Sequence, residues 1–364
     1  MVVVTHATLY VRQRPVCGSA MLGQGLPRKS PAKVECCPVS RYVAAPAVYG
    51  GLKVKNIELC GRQSRLCVPS RRCGGLSRHI APCAVSGQQS YNVVVTGGTK
   101  GAGKAIAKEF LYLGDTVVIC SRDAARVKDT VEELSEMGKV FGLATDVTKA
   151  ADVAKLADFA SKEMGQIDIW VNNAGTNAYT FRPILEQDND NIEEVVKTNM
   201  LGVMYCSKEA IRVMRGQNTG GHVFNMDGAG ADGGATPRFA AYGATKRSLD
   251  QFNKSLRAEL GLLGIKNVGV HAISPGMVTT ELLMAGADNQ VSKFFINCLA
   301  ETPETVAKFL VPRMRSVPSQ SSQLPIPNSF LGKYIRFLTP IKAYSQIALR
   351  LASGKRKNRF VQED

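Results

Sequence analysis

The feature that most constrains this chain is a regular alternation of short apolar, β-branched runs with amphipathic segments, beginning at Asn92. Asn92–Thr96 (NVVVT), Thr116–Cys120 (TVVIC), Val140–Ala144 and Ile167–Val171 (IDIWV) read as strands, and Lys104–Leu113, Ala124–Met137 and Asp152–Met164 as the helices between them. Strands this short and apolar throughout need cover on both faces, and helices in every connection force the strands to run parallel. The rhythm continues with a long helix over Asn191–Met214, a strand at His222–Met226, a helix at Ala241–Leu263 and a strand at Val268–Ile273. The pattern predicts one α/β domain built on a doubly wound parallel sheet.

Charge separates this domain from its flanks. The 364 residues carry a net charge of +16, but residues 1–90 hold 13 Lys/Arg against Glu35 and Glu58, together with seven of the ten cysteines. That acid-poor, Arg- and Ser-containing stretch lacks periodicity and reads as an organelle transit peptide and disordered leader, with a basic nucleic-acid-binding arm as the alternative. Between Tyr91 and Phe330 there are 25 basic and 26 acidic residues, so the domain itself is almost neutral and no nucleic-acid partner is expected of it. Cys120, Cys206 and Cys298 have no metal-ligand spacing, so no metal site is expected, and His222 and His271 read as core histidines. No run of 18 apolar residues occurs. The expected division is therefore a leader over 1–90, a domain over 91–315, a Pro/Ser-rich linker over 316–330 and a basic amphipathic extension over 331–364, whose helix Pro340 should interrupt.

Thr96-Gly97-Gly98-Thr99-Lys100-Gly101-Ala102-Gly103 joins the first strand to the first helix. Glycines there let the backbone approach a pyrophosphate, which the free N–H groups of the helix start then bind; this is the nucleotide cradle of a Rossmann-type fold. Gly97, Thr99, Gly101 and Gly103 are the candidate cofactor contacts. Ser121 and Arg122 end the second strand where an acid would hold a ribose 2′-hydroxyl, and Lys100 adds a second cation. Two cations suit a 2′-phosphate, so NADPH is expected, with NADH as the alternative.

Tyr242 and Lys246 lie four apart at a helix start and so share a face. A phenol with an ordinary pKa of about 10 needs a neighbouring cation to work as acid or base near neutrality, and Lys246 supplies one.

Together, TGGTKGAG, Asn172-Asn173-Ala174-Gly175, Asn199, Tyr242-Gly-Ala-Thr-Lys246 and Pro275-Gly276 stand in the order found in the short-chain dehydrogenase/reductase family, which the chain resembles over about residues 91–285. The resemblance implies that Asp146 and the adjacent Val147 meet the adenine, that Asn173, Ala174 and Gly175 flank the cofactor, and that Asn199 holds a water in a proton relay. It also places Pro275, Gly276 and Thr279 on the nicotinamide side and gives Lys246 the nicotinamide ribose. One departure stands out: the family serine about 13 residues before the tyrosine is missing from Phe224–Asp232. Asp227 is the nearest polar candidate, as a protonated donor or simply as a turn residue.

HVFNMDGAGADGGATPRFAAYGATKRS, IDIWVNNAGTNAY, SPGMVTTELLMAGA and, further on, KFFIN, YIRFLTPIKAY and RKNRFV resemble the chlorophyll(ide) b reductases of plants and algae, in particular their smaller, non-yellow-coloring-like branch without membrane spans. That resemblance implies NADPH-dependent reduction of the 7-formyl group of chlorophyll(ide) b to a 7-hydroxymethyl group, the first step of chlorophyll b breakdown. It places the chain in the chloroplast, peripherally on the stromal side of the thylakoid. The partners it implies are a larger membrane-anchored relative, light-harvesting antenna complexes and a second copy of the chain. Leu282, Leu283 and Phe294 are the candidate pigment contacts, or else the apolar face of a helix. Two other readings stand beside it: a plastid 3-oxoacyl carrier-protein reductase, and a catalytically dead NADPH-binding adaptor.

Overall fold

A computed structural model describes residues 89–321, 327–328 and 332–363. The leader through residue 88 and residues 322–326 and 329–330 of the expected linker lie outside the described residues.

Seven parallel strands make one sheet in the order β3-β2-β1-β4-β5-β6-β7: β1 Asn92–Thr96, β2 Thr116–Ser121, β3 Val140–Ala144, β4 Ile169–Asn172, β5 Gly221–Met226, β6 Val268–Ser274 and β7 Tyr334–Arg336. Because side chains alternate across a strand, each strand feeds two cores. Val93, Val95, Val117, Ile119, Phe224, Met226 and Ile273 pack on one face against α1 (Gly101–Tyr112) and α9 (Pro303–Ser321). Val94, Val118, Trp170, Val223, Val268 and Val270 pack on the other against α3 (Ala150–Met164), α5 (Val203–Met214) and the end of α6 (Ala240–Leu262). Sequence order reverses between β1 and β4, and the crevice beyond the carboxyl ends of these strands is where such sheets bind ligands.

The strand and helix pattern read from the sequence is borne out, with informative exceptions. α1 begins at Gly101, straight out of the glycine turn. The long helix over 191–214 is three pieces: α4 (Asn189–Val196), a π-helical turn at Lys197–Gly202 and α5. Single π turns inside helices mark functional positions, and this one carries Asn199. α2 (Ala124–Ser135) is capped by the Asp123 side chain, which accepts from the Arg126 N–H at 3.1 Å.

The Pro/Ser-rich stretch after residue 315 does not begin as a linker. α9 continues to Ser321 through Pro312 and Pro318, although a proline inside a helix costs a hydrogen bond and a clash. Burial of Val311, Met314 and Val317 against α1 and the sheet offsets that cost. The tail is likewise integrated: β7 is the last strand of the sheet, and α10 (Pro340–Ser353) packs on α8 (Gln290–Leu299). Pro340 starts α10 rather than breaking it, behind the Thr339 cap. Arg350 of α10 pairs with Glu363, and beyond the helix Arg356 and Arg359 both pair with Glu301. Much of the tail's positive charge is therefore spent on folding.

His222 and His271 are buried beside each other, Nδ1 to Nε2 at 3.0 Å, and burial brings His222 down to about 4, so both are neutral core groups. Arg315 and Asp115 form a buried ion pair at 3.0 Å, exposed by 5% and 0%, tying α9 to the start of β2. Arg315 also donates to the Gln89 carbonyl, and Asp115 accepts from the Tyr91 N–H. Burial pushes the Asp115 carboxyl up to about 6. Arg315→Leu at pH 8 strands that charge and should cost about 3–5 kcal/mol in urea unfolding. At pH 5 the carboxyl can take a proton, and the difference from wild type should shrink.

Candidate active site

The nucleotide cradle depends on close contacts that only glycine allows. Gly97 and Gly101 have left-handed φ of 64° and 55°. A Cβ on Gly103 would lie 2.2 Å from the Gly97 carbonyl oxygen and 2.3 Å from Asn173 Nδ2. Asn173 Nδ2 donates to the Thr96 and Gly97 carbonyls at 2.8 and 3.1 Å, and buried Thr96 Oγ1 accepts from the Asn173 and Ala174 N–H groups, both at 3.0 Å. The turn after β4 thus holds the turn after β1. Lys100, at the N-cap of α1, gives no side-chain cap, so the first N–H groups of the helix point free into the crevice, as an anionic pyrophosphate requires. Thr99 is buried within the loop, and Thr280 lies over Gly101 at 3.0 Å from where its Cβ would be.

At the adenosine end, Ser121 closes β2, and Arg122 reaches Glu194 at 3.4 Å from an exposed position. Lys100 donates to Tyr179 Oη and pairs with Glu281, both at 2.7 Å. Both cations expected at a 2′-phosphate therefore rest on exposed partners that a phosphate could replace. Asp146 Oδ1 accepts from the Thr148 N–H and hydroxyl, and Val147 is buried against Gly202.

α6 brings the reactive groups in. Lys246, 4% exposed, donates to the Met226 carbonyl at 3.0 Å, and its Nζ lies 5.6 Å from the centre of the half-buried Tyr242 ring. Burial lowers Lys246 to about 8, with Asp227 opposing that fall, while burial and then the Asp227 charge push the Tyr242 phenol upward. Asn199 is fully buried: its amide donates to the Thr176 carbonyl (2.8 Å) and Thr245 Oγ1 (3.1 Å), and its oxygen accepts from the Thr176 N–H. With both amide hydrogens taken, only the second lone pair of Oδ1 is left to meet a water. Beneath these groups Asn172, Ser207, Asn225 and Asn253 form a connected buried network.

Gly228, 14 residues before Tyr242 where the family serine is expected about 13 before it, is the position whose side chain would meet the phenol. A Cβ there would stand 2.4 Å from Tyr242 Oη. Next to it, Asp227 is 7% exposed and receives the hydroxyl of Tyr334 from β7. On the nicotinamide side, Gly276 has φ 72° and lies under Leu338 of the tail, and Thr279 N–H bonds the Glu301 carbonyl at 3.0 Å. Leu282 and Leu283 are half-buried on α7 (Glu281–Met284). Phe294 is elsewhere: it meets Phe295 edge to face and lies below Arg350 of α10. Phe181 and Phe239, which no motif singled out, form an aromatic line ending on Tyr242, with ring centres 4.3 and 5.3 Å apart.

Residues 91–290 match the family model described as short chain dehydrogenase. The chain is a short-chain dehydrogenase/reductase. It is 54% identical over 276 residues to "Chlorophyll(ide) b reductase NOL, chloroplastic" of Arabidopsis thaliana, covering 75% of this chain and 77% of that protein. It is 46% identical to "Probable chlorophyll(ide) b reductase NYC1, chloroplastic" of Oryza sativa subsp. japonica, of which the match spans 50%. Among solved structures it resembles a serine dehydrogenase complexed with NADP+, with 28% identity, a TM-score of 0.55, and 68% and 94% of the two chains covered. As a member of this family it is a nicotinamide-dependent oxidoreductase, and the cradle of missing Cβ atoms and free helix N–H groups described above fits that cofactor.

Gly103→Ala should abolish saturable NADPH binding, read by the quench or enhancement of nicotinamide fluorescence. The Cβ displaces either Asn173 or the Gly97 carbonyl, and both position the cradle. Binding within twofold of wild type would show that the contact is not needed.

Proposed function

We propose that this chain reduces the 7-formyl group of chlorophyll b or chlorophyllide b to a hydroxymethyl group, using NADPH, in the plastid. What carries the reading is the combination of an intact Tyr242–Lys246 pair with the aromatic line from Tyr242 through Phe239 to Phe181. The rings are inclined to one another by 49° and 70°, and together they form an aromatic wall beside the acid that suits a conjugated macrocycle better than a flexible acyl chain. Beyond that line lies a polar cavity of about 380 Å³ lined by Tyr179, Phe181, Arg182, Arg238, Ala285 and Asp288, which could take polar edge substituents. The names and extent of the chlorophyll(ide) b reductase relatives support the same substrate.

The cofactor, when bound, supplies a hydride to the formyl carbon. Tyr242 then delivers its proton to the developing alkoxide, and a phenol kept protonated by burial and by Asp227 suits that direction. Lys246, bonded to the Met226 carbonyl, holds a cation beside the phenol and limits the rise in its pKa. Asn199 fixes the Thr176 loop to α6 and so holds the distance between cradle and acid. Lys100 and Arg122 are the groups that would prefer NADPH over NADH.

The same reading puts the chain on the stromal face of the thylakoid. No helix among the described residues is long and apolar enough to cross a membrane. Ile341, Tyr344 and Leu351 of α10 are 83%, 62% and 74% exposed, with Lys355 and Lys357 close by, a pattern suited to an anionic surface. Antenna complexes, the larger membrane-anchored relative and self-association are the partners this reading proposes.

The test is incubation of chlorophyll b and NADPH with the chain and with Tyr242→Phe, followed by pigment separation. Wild type should yield the 7-hydroxymethyl product, and the variant should lose at least about 100-fold in rate, as loss of a general acid does. A wild type that binds NADPH but leaves the pigment unchanged would favour the adaptor reading.

A further inference from the structure

The ends of β5, β6 and β7 form a polar group that no motif of the family predicts. Met226 pairs with Ile273, and Ser274 with Arg336, so Asp227, one residue past β5, continues a row across three strands. Its N–H bonds the Ile273 carbonyl at 2.9 Å. Side-chain alternation puts Asp227, Ser274, Tyr334 and Arg336 on the face that carries Asn225, whose side chain bonds Asn253 of α6. This is the face of the catalytic helix.

On that face the tail clamps Asp227. Tyr334 donates its hydroxyl to Asp227 Oδ2, and Arg336 Nη2 donates to Tyr334 Oη at 2.9 Å while its guanidinium stacks 4.7 Å from the same ring. Ser274 interacts with both Asp227 and Tyr334. The other carboxylate oxygen, Oδ1, is buried with no hydrogen-bond partner. Leaving a buried carboxylate oxygen unpaired is costly, and such groups call for an explanation. The neighbouring residue supplies one: Gly228 lies directly under Tyr242 Oη, with no side chain between the acid and the phenol.

We propose that Asp227, clamped by Tyr334 and Arg336, is a positioning residue that takes over from the absent serine by holding the proton on Tyr242 for delivery to the substrate oxygen. A negative charge beside a phenol opposes its ionisation. The site is thereby biased toward reduction of a carbonyl and against oxidation of an alcohol. The C-terminal strand is a working part of the active site, not an appendage. The Lys246 cation, 5.6 Å from the centre of the Tyr242 ring, opposes this by favouring the phenolate, and Asp227 and Asp232 are the carboxylates acting on Arg336 among the described contacts. This inference rests on the carbonyl-reduction reading for its meaning, but its test does not.

Phenol titration is followed by tyrosinate ultraviolet absorbance, and the Tyr242 contribution is isolated by subtracting the matched Tyr242→Phe protein. Asp227→Asn removes the charge and should lower the Tyr242 midpoint by on the order of one pH unit. Tyr334→Phe leaves the carboxylate ionised at the alkaline pH of the titration, so it should shift the midpoint far less than Asp227→Asn does. In the chlorophyll b assay, the alkaline limb of kcat/KM should move down with the same order of variants, while NADPH affinity changes less than about twofold. Unchanged midpoints and limbs in folded Asp227→Asn protein would overturn the proposal and leave Asp227 a turn residue. A shifted titration in a protein that reduces no pigment would uphold the proposal while removing the substrate.

Discussion

Asn173 Nδ2 occupies the space that a side chain on Gly103 would fill, and the whole site is arranged around that contact. It binds the turn after β1 to the turn after β4 at the point where the sheet reverses its order. From it follow the direction in which α1 presents its free N–H groups and the position of the Asn173–Gly175 backbone beside Lys246. Gly175 continues the logic: a Cβ there would lie 3.2 Å from Asn199 Oδ1 and 3.6 Å from Lys246 Nζ. The glycine cradle and the Tyr242–Lys246 pair are thus packed against one another, with Gly103 the position at which a methyl group has no room.

The polar interior beneath that unit is extensive. Trp170 Nε1 bonds Asn172, Asn172 bonds Ser207 and Asn225, and Asn225 bonds Asn253. Satisfied networks of this kind are rigid, because each member left unpaired would carry its full desolvation cost. They fix the register of β4, β5 and α6 close to the chemistry. Asp227 Oδ1, just past the end of β5 and buried without a hydrogen-bond partner, departs from this satisfaction. Local rules of satisfaction tend to be broken at functional positions, and this one is broken beside the proton donor.

Much of this was legible in the chain. NVVVT, TVVIC and the runs after them are apolar and β-branched on both faces, so strands and parallel topology follow from burial alone. The Gly loop, Tyr242 and Lys246 are local motifs with local geometry. Other features depend on contacts far apart in sequence. Tyr334 meets Asp227 across 107 residues, and nothing but sheet order could bring them together. Pro318 and the serines around it argue for a linker because their cost is local, whereas the burial of Val317 that offsets it is tertiary. A fixed spacing from Tyr242 points to residue 229, whereas it is a Cβ on Gly228 that would meet the phenol oxygen, a contact that only the folded loop reveals. Phe294 is a candidate pigment contact by its place after the Pro-Gly turn, and its packing against α10 depends on a tail helix that Pro340 starts.

The central claim is that a hydride and a proton are delivered together to a formyl group held over Tyr242. It is tested most directly by supplying NADPH deuterated on the transferring face of its C4 carbon, with chlorophyll b as acceptor, and reading the mass of the product. The account predicts one deuterium on the new hydroxymethyl carbon and none elsewhere on the macrocycle. An unlabelled hydroxymethyl product, or label on a ring position with the formyl group intact, would contradict it.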